Sequence, residues 1–99
     1  MKVRVISANI DESQALNQHV EDLLTKNVTK YFDNAISADV HFKKEGAAFH
    51  CNIIVNDGVS GGKDIKADYE SHDIYKAFNE ACDKIETQLR RYKRKLSDK

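Results

Sequence analysis

The chain has 99 residues, which suffice for one hydrophobic core and one domain, residues 1–99. Apolar residues make up 40% and charged residues 32%, a balance that excludes a disordered chain and a membrane protein. The formal net charge is zero, but residues 84–99 hold seven basic and two acidic side chains, whereas residues 1–83 hold nine basic and fourteen acidic ones. A concentrated cationic end can bind a polyanion while the remainder keeps the protein soluble.

Nothing in the sequence predicts export or membrane insertion. Residues 1–6 alternate between apolar and polar side chains and contain no apolar stretch with a cleavage site. No run approaches the roughly 18 apolar residues of a transmembrane helix. Cys51 and Cys82 lack the spacing of metal ligands, so we expect reduced, buried thiols in a cytoplasmic protein without metal or cofactor.

The first half of the chain predicts a strand, a helix and a second strand. Val3 and Val5 alternate with polar neighbours, as in a half-buried strand. Asp11 or Ser13 can cap the helix that follows, which we expect to end near residues 32–34. The apolar stripe of this helix consists of Leu16, Val20, Leu23, Leu24, Val28 and Tyr31. The apolar side of the next strand consists of Ile36, Ala38, Val40 and Phe42.

The second half predicts two further strands and a long helix. A turn at residues 44–46 leads into a strand whose apolar side consists of Phe49, Cys51, Ile53 and Val55. The glycine-rich segment 57–62 predicts a hairpin connection to a strand with the apolar residues Ile65, Ala67 and Tyr69. Ser71 or Asp73 can cap the last helix. The apolar face of that helix consists of Ile74, Phe78, Ala81, Cys82, Ile85, Leu89, Tyr92 and Leu96.

The element order is therefore β-α-β-β-β-α. Each strand has one apolar face and each helix has one apolar stripe, so every element needs a partner on one side only. Two helices packed on one face of a four-stranded sheet satisfy all of these faces at once. The predicted fold class is α+β, a two-layer sandwich.

Four histidines are the candidates for catalysis, namely His19, His41, His50 and His72. None of them has the spacing of a metal-binding helix motif, although His41 and His50 fall on adjacent strands and can be neighbours. The glycine-rich segment 57–62 lacks a phosphate-loop signature and precedes a strand rather than a helix. We therefore predict that the protein is not an enzyme and that its histidines are ordinary, partly exposed residues.

The end of the last helix carries a dense run of cations, Arg90, Arg91, Lys93, Arg94 and Lys95, with Lys84 two turns earlier. Helical spacing predicts that Lys84, Arg91, Arg94 and Lys95 lie opposite the apolar face and that Arg90 and Lys93 flank them. Cations in such a row are roughly 5–6 Å apart, close to the spacing of phosphates along a strand. Complementing the helix dipole needs only one or two charges. The pattern therefore favours RNA or DNA binding over a merely solvated helix end.

The whole chain resembles the ribosome hibernation promoting factor family, formerly called sigma-54 modulation proteins, which includes ribosome-associated inhibitor A. The element order and the length match, and no single motif is diagnostic. The matching motifs are Asn9-Ile10, Ser13-x-Ala15-Leu16, Tyr31-Phe32-Asp33, Asp73-x-Tyr75-x-Ala77, Asp83-Lys84-Ile85, Gln88-Leu89 and Arg91-x-Lys93-x-Lys95-Leu96.

The resemblance implies a bacterial, non-enzymatic factor of the stress response and stationary phase. Such a factor docks on ribosomal RNA of the small ribosomal subunit, where its bulk overlaps the mRNA and tRNA positions. Bound ribosomes are idle, translation is inhibited, and short members favour pairing of two ribosomes with a separate modulation factor. The basic positions of the family fall on Lys26, Lys84, Arg91, Lys93 and Lys95.

The sequence also departs from the family pattern. Glu21, Asp22 and Leu23 stand where relatives often carry lysine, so we expect the first helix to contribute less to RNA binding. Thr87 replaces a frequent arginine, and the chain lacks both the C-terminal dimerisation domain of long members and the tail of ribosome-associated inhibitor A. Either a natural short form or a truncated long form fits this length.

A double-stranded-RNA-binding module is the alternative, because its α-β-β-β-α core is similar. That module places a lysine cluster at the start of its last helix, whereas residues 71–75 here contain no lysine. A small hydrolase is a third possibility that only the histidines support.

Overall fold

A computed structural model describes residues 1–11, 13–32, 35–56 and 64–97, with side chains described up to residue 95 in the last helix. The elements are β1 (Lys2–Ala8), α1 (Gln14–Thr29), β2 (Ser37–Glu45), β3 (Ala48–Asn56), β4 (Ile65–Ser71) and α2 (Ile74–Ser97). This order confirms the predicted β-α-β-β-β-α arrangement.

The four strands form one sheet in the order β1-β2-β3-β4. β1 is parallel to β2, because α1 carries the chain back to the starting end of the sheet, and the other neighbours are antiparallel. The register places Val40 opposite Ile53, and Ile53 opposite Ala67, so their side chains share one face. β1 and β4 are the two edges of this sheet.

Both helices cover that one face of the sheet, which confirms the two-layer α+β sandwich. The core combines residues from every layer, among them Leu24, Phe42, Ile53, Phe78, Ile85 and Leu89, all essentially inaccessible to solvent. The opposite face is open and polar, with ion pairs between Arg4 and Asp39 (3.2 Å) and between Lys43 and Glu45 (3.0 Å). The helical layer therefore carries the cationic run of the sequence.

The two ends of α1 differ in how well the sequence predicted them. Ser13 is the N-cap, and its hydroxyl accepts a hydrogen bond from the Leu16 amide (3.3 Å). The helix ends at Thr29 rather than near residues 32–34, and Lys30 is its C-cap. In the turn that follows, the Val28 carbonyl accepts from the amides of both Tyr31 (3.1 Å) and Phe32 (2.9 Å). Tyr31 and Phe32 still pack against the core beyond the last turn, so the apolar stripe is longer than the helix.

The turns and strand starts show two further differences. β2 continues through Glu45, and the β2–β3 turn consists of Gly46 and Ala47 rather than residues 44–46, because Glu45 pairs directly with Ala48. Gly46 has a φ of 60°, which only glycine adopts easily. Ile36 precedes β2 and is exposed instead of joining its buried side. The predicted hairpin at residues 57–62 lies outside the described residues.

α2 has the predicted cap and the predicted apolar face. The Asp73 carboxylate accepts hydrogen bonds from the amides of Tyr75 (2.9 Å) and Lys76 (3.4 Å), whereas the Ser71 hydroxyl accepts from the Asp73 amide, which precedes the helix. Leu89 is the last fully buried described residue of the helix. The half-buried Tyr92 follows it, and its ring centroid lies 5.8 Å from that of Phe32. The side chain of Leu96 lies outside the described residues.

Candidate nucleic-acid interface

The cations of α2 begin with a row along the flank that faces β4. Lys84 Nζ donates to the Asp68 carbonyl of β4 (3.1 Å), and Gln88 Nε2 donates to the Lys66 carbonyl (2.7 Å). Arg91 and Lys95 continue this row, since steps of three and four residues follow one side of a helix.

The positions of Lys84, Arg91 and Lys95 correct the prediction that these residues lie opposite the apolar face, since all three lie on the flank towards β4. Lys84 directly precedes the buried Ile85. Consecutive residues of a helix are only about 100° apart around its axis, so Lys84 lies beside the apolar face rather than opposite it. The long side chain therefore reaches over the edge of the sheet. Its ammonium group lies 5.4 Å from the centroid of the Tyr69 ring, a cation–π contact.

Two hollows that share Gln88 and Arg91 run along this flank of α2, and together they are called the trough. The first, about 320 Å³, is lined by Glu80, Asp83, Lys84, Thr87, Gln88 and Arg91. The second, about 220 Å³, is lined by Ile65, Gln88, Arg91, Tyr92 and Lys95. The trough is acidic at one end and cationic towards the C-terminal end of α2, where a phosphate chain finds favourable partners.

The remaining cations of the run, Arg90, Lys93 and Arg94, are also exposed. Helical spacing distributes them over the outer side of α2 and the side towards α1. The last three described side chains, those of Lys93, Arg94 and Lys95, are all exposed. The structure thus presents cations around the helix end rather than on a single face.

Lys26 lies on α1, outside the trough, in a hollow of about 230 Å³ that also includes His19, Asp22 and Leu23. α1 and α2 run side by side in the same direction, as the contact of Asn27 with Cys82 (3.3 Å) and that of His19 with Asn79 (2.8 Å) show. The C-terminal half of α1 therefore points towards the cationic end of α2.

Lys30 is a cation of this region that the sequence analysis missed. It lies four residues after Lys26, at the C-cap of α1, and its ammonium group is 4.0 Å from the Glu86 carboxylate of α2. The same group lies 5.4 Å from the Tyr31 ring. The four-residue spacing from Lys26 was the available signal.

The cysteines do not form a reactive site. Cys51 and Cys82 are free and fully buried, as predicted. Burial raises the pKa of the Cys51 thiol to about 12 and that of the Cys82 thiol to about 11, the latter despite a hydrogen bond from Asn27. Both thiols are therefore neutral at physiological pH and pack as small apolar groups.

Three of the four histidines lie in polar settings at the surface, and His19 packs against aromatic rings between the helices. His41 and His50 are diagonal neighbours on the open face of the sheet, and His50 Nε2 is 3.8 Å from the Asp68 carboxylate. His72 Nδ1 lies 3.1 Å from the Ala47 carbonyl. Among the described residues, no group of three or more histidine, cysteine or acidic side chains is placed to hold a metal ion. No helix in the described part of the chain is long and apolar enough to span a membrane.

A two-layer α+β sandwich whose helical layer ends in clustered cations defines a class of small domain suited to a polyanionic partner. The chain matches the profile of the family described as sigma 54 modulation protein / S30EA ribosomal protein over residues 3–97, and it belongs to that family. This membership confirms the resemblance that the sequence motifs indicated.

Its curated relatives are named ribosome hibernation promotion factor. The protein from Rhizobium meliloti is 33% identical over 100 residues, which cover 99% of this chain and 50% of the relative. The protein from Bacillus subtilis is 27% identical over 104 residues, with 100% and 52% covered. The chain thus spans about half the length of these relatives.

Solved structures of similar proteins share the fold. The N-terminal domain of Protein Y from Thermus thermophilus superposes with a TM-score of 0.80 at 26% identity, covering 93% of this chain and 99% of that domain. A ribosomal subunit interface protein from Coxiella burnetii superposes with a TM-score of 0.73 at 26% identity, covering 94% and 98%.

Proposed function

We propose that this protein binds ribosomal RNA of the small ribosomal subunit at the mRNA and tRNA channel. Bound there in the bacterial cytoplasm, it keeps idle ribosomes inactive and protected and inhibits translation without catalysing a reaction. Family membership and relatives named as hibernation promotion factors support this role. Pairing of two ribosomes, with a separate modulation factor as a further partner, is a natural extension of the same proposal.

The observation that carries the proposal is the placement of the cations. On the open face of the sheet, Arg4 and Lys43 are paired with carboxylates. At the end of α2, five cations lie within six consecutive residues. Two of them, Arg91 and Lys95, line the second hollow of the trough beside Ile65 of β4. A phosphate chain laid along this end meets cations at each step, and each neutralised phosphate releases a counterion.

The alternative of a double-stranded-RNA-binding module requires cations at the start of the last helix. That position holds the carboxylate of Asp73, which is engaged in capping the helix. Tyr75 follows it and is exposed. A carboxylate at the start of α2 disfavours the phosphate contact that a double-stranded-RNA-binding module makes there, so the structure gives this alternative less support.

A pair of matched double variants tests the interface. Arg91→Glu with Lys95→Glu places four additional negative units on the trough, and binding to purified small subunits should fall steeply. The control is Lys2→Glu with Lys66→Glu, which makes the same change of charge at exposed positions of the open sheet face. Both variants should fold, since surface substitutions usually change stability by less than about 0.5 kcal/mol.

Inhibition of cell-free translation is the functional measurement for the same proteins. We expect the control to inhibit like the original protein and the Arg91/Lys95 variant to inhibit much less. Equal inhibition by both double variants would refute the α2 interface. Sedimentation of a lysate on a gradient provides the complementary test, because a hibernation factor travels with ribosomal particles.

A further inference from the structure

A row of aromatic rings leads from the core to the surface between the two helices. Phe42 on β2 lies 6.3 Å from Phe78 on α2, measured between ring centroids, and both residues are buried. Phe78 meets the His19 ring edge-on at 5.6 Å, and His19 lies 5.3 Å from the Tyr75 ring. The row ends in Tyr75, which is 40% exposed.

The exposed end of this row is held in place. His19 Nε2 lies 2.8 Å from Asn79 Oδ1, a hydrogen bond that anchors the imidazole ring to α2. The contact with Phe78 fixes the ring from the core side. The His19 and Tyr75 rings are inclined by 59°, so that they form a corner whose outer side is the exposed Tyr75 ring.

The hollow beside this corner brings complementary chemistry to it. His19 shares the hollow with Asp22, Leu23 and Lys26. Asp22 Oδ1 accepts a hydrogen bond from Gln18 Nε2 (2.8 Å), and the carboxylate has lone pairs for further donors. Lys26 lies seven residues after His19, about 10 Å along the helix axis. The rings and the Asp22 carboxylate suit the base of one nucleotide, and the Lys26 ammonium group suits its phosphate.

We propose that this corner binds one unpaired nucleotide of an RNA strand, a site distinct from the α2 trough. The base stacks on Tyr75 and meets His19 edge-on, as bases do on aromatic side chains of RNA-binding proteins. Its phosphate contacts Lys26. The inference rests on the proposed function, since the nucleotide is taken to belong to the ribosomal RNA that the protein binds.

Two features select the chemistry of the ligand. Asp22 offers only acceptors, so a base with an exocyclic amino donor is favoured over uracil, whose single N3–H donor is flanked by two carbonyl oxygens that repel the carboxylate. Lys26 is the one cation lining the hollow in the described part of the chain. A single cation suits the one phosphate of a strand better than the multiple charges of a free nucleoside triphosphate.

The test compares Tyr75→Leu, which keeps apolar area without a ring, with Tyr75→Phe, which keeps the ring. Affinity for purified small subunits should fall about 5- to 150-fold for the leucine variant and stay near the original value for phenylalanine. Because stacking involves no counterion release, the salt dependence should be unchanged, whereas Arg91→Glu should reduce it. Melting temperatures confirm that both Tyr75 variants fold.

A short RNA that contains 2-aminopurine tests the site without the ribosome. The fluorescence of 2-aminopurine should be quenched on binding to the original protein and to Tyr75→Phe but not on binding to Tyr75→Leu. An oligonucleotide of adenine should displace the probe more effectively than one of uracil. If the original protein fails to bind small subunits yet quenches the probe, the ribosomal proposal fails and the nucleotide site stands.

Three outcomes would overturn the nucleotide site itself. The first is equal subunit affinity of Tyr75→Leu and the original protein. The second is a loss of subunit affinity without any quenching of the probe, which would assign Tyr75 to a protein contact. The third is displacement of the probe by free ATP as effectively as by the adenine oligonucleotide, which would assign the corner to a soluble nucleotide.

Discussion

At the scale of single residues, Tyr92 separates packing from binding within the cationic run. It lies between Arg91 and Lys93 in the sequence, yet its ring contacts Phe32 beyond the end of α1. It is half-buried, and its neighbour one turn earlier, Leu89, is fully buried. The ring therefore ties the last buried turn of α2 to the core and is less available to RNA.

Tyr92→Ala should consequently lower the free energy of unfolding by about 2–3 kcal/mol, somewhat less than for a fully buried aromatic residue. Urea unfolding measures the change. Ribosome binding by the folded variant should persist, because the neighbouring cations remain. An unchanged stability with abolished binding would show that the ring stacks on RNA instead.

The buried thiols predict a dependence of stability on alkaline pH. Cys51 and Cys82 have pKa values raised by burial to about 12 and about 11, whereas an unfolded thiol titrates near 9.0. The folded state favours the neutral thiols. Their contribution to the free energy of unfolding is therefore fully present below pH 9 and is lost as the pH rises towards 11–12. The expected slope is about 1.4 kcal/mol per pH unit for each thiol.

Unfolding measured between pH 8 and pH 11 tests this expectation, with Cys51→Ala as the control for other titrating groups. The control starts from a lower stability, but its slope above pH 9 should be shallower. Both thiols of the native protein should also resist alkylation at pH 8. Rapid alkylation under native conditions would contradict the neutral, buried state.

At the scale of elements, α2 protects the outer edge of the sheet. Lys84 and Gln88 donate to the Asp68 and Lys66 carbonyls, which point away from β3 along the exposed edge of β4. Unpaired edge groups invite pairing with another chain, and side chains that occupy them reduce this hazard. Lys84 thus has a structural contact in addition to its charge.

Replacing Lys84 by alanine should therefore lower the free energy of unfolding by about 1 kcal/mol, from one hydrogen bond and one cation–π contact. Arg91→Ala, one step further along the same row, should change stability by less than about 0.5 kcal/mol. Thermal unfolding of the two variants gives the comparison. Identical stabilities would place Lys84 in solvent rather than on the edge of β4.

At the scale of the whole molecule, the charges of the helical layer are segregated. Glu80 and Asp83 line the first hollow of the trough, and Asp22 lies on α1, whereas the cations gather at the C-terminal ends of both helices. The negative ends of the two helix dipoles favour cations at those positions. A protein with no net charge can in this way present a cationic surface.

Binding to small subunits should be strongly salt-dependent as a result. If about five phosphates are neutralised, the logarithm of the binding constant falls with that of the salt concentration at a slope of roughly −3.5 to −4.5. A titration at several potassium concentrations measures this slope. A slope near zero would exclude phosphate contacts as the main source of affinity.

Much of this structure was predictable because periodicity and capping are local properties of a chain. The alternation of Val3 and Val5, the stripe of α1 and the apolar face of α2 depend on residues a few positions apart. The element order, the buried cysteines and the cationic run followed from such patterns. The true end of α1 did not, because Tyr31 and Phe32 continue the apolar stripe beyond Thr29, the last residue of the helix.

By itself, the sequence determined six elements, one apolar side on each of them and a cluster of cations at the end of the last helix. Only the tertiary structure decided that Lys84 reaches the edge of β4, that α1 and α2 run in the same direction and that His19 meets Tyr75. These contacts join residues far apart in the chain. Their geometry depends on how the helices pack on the sheet, a property of the whole core that no local pattern encodes.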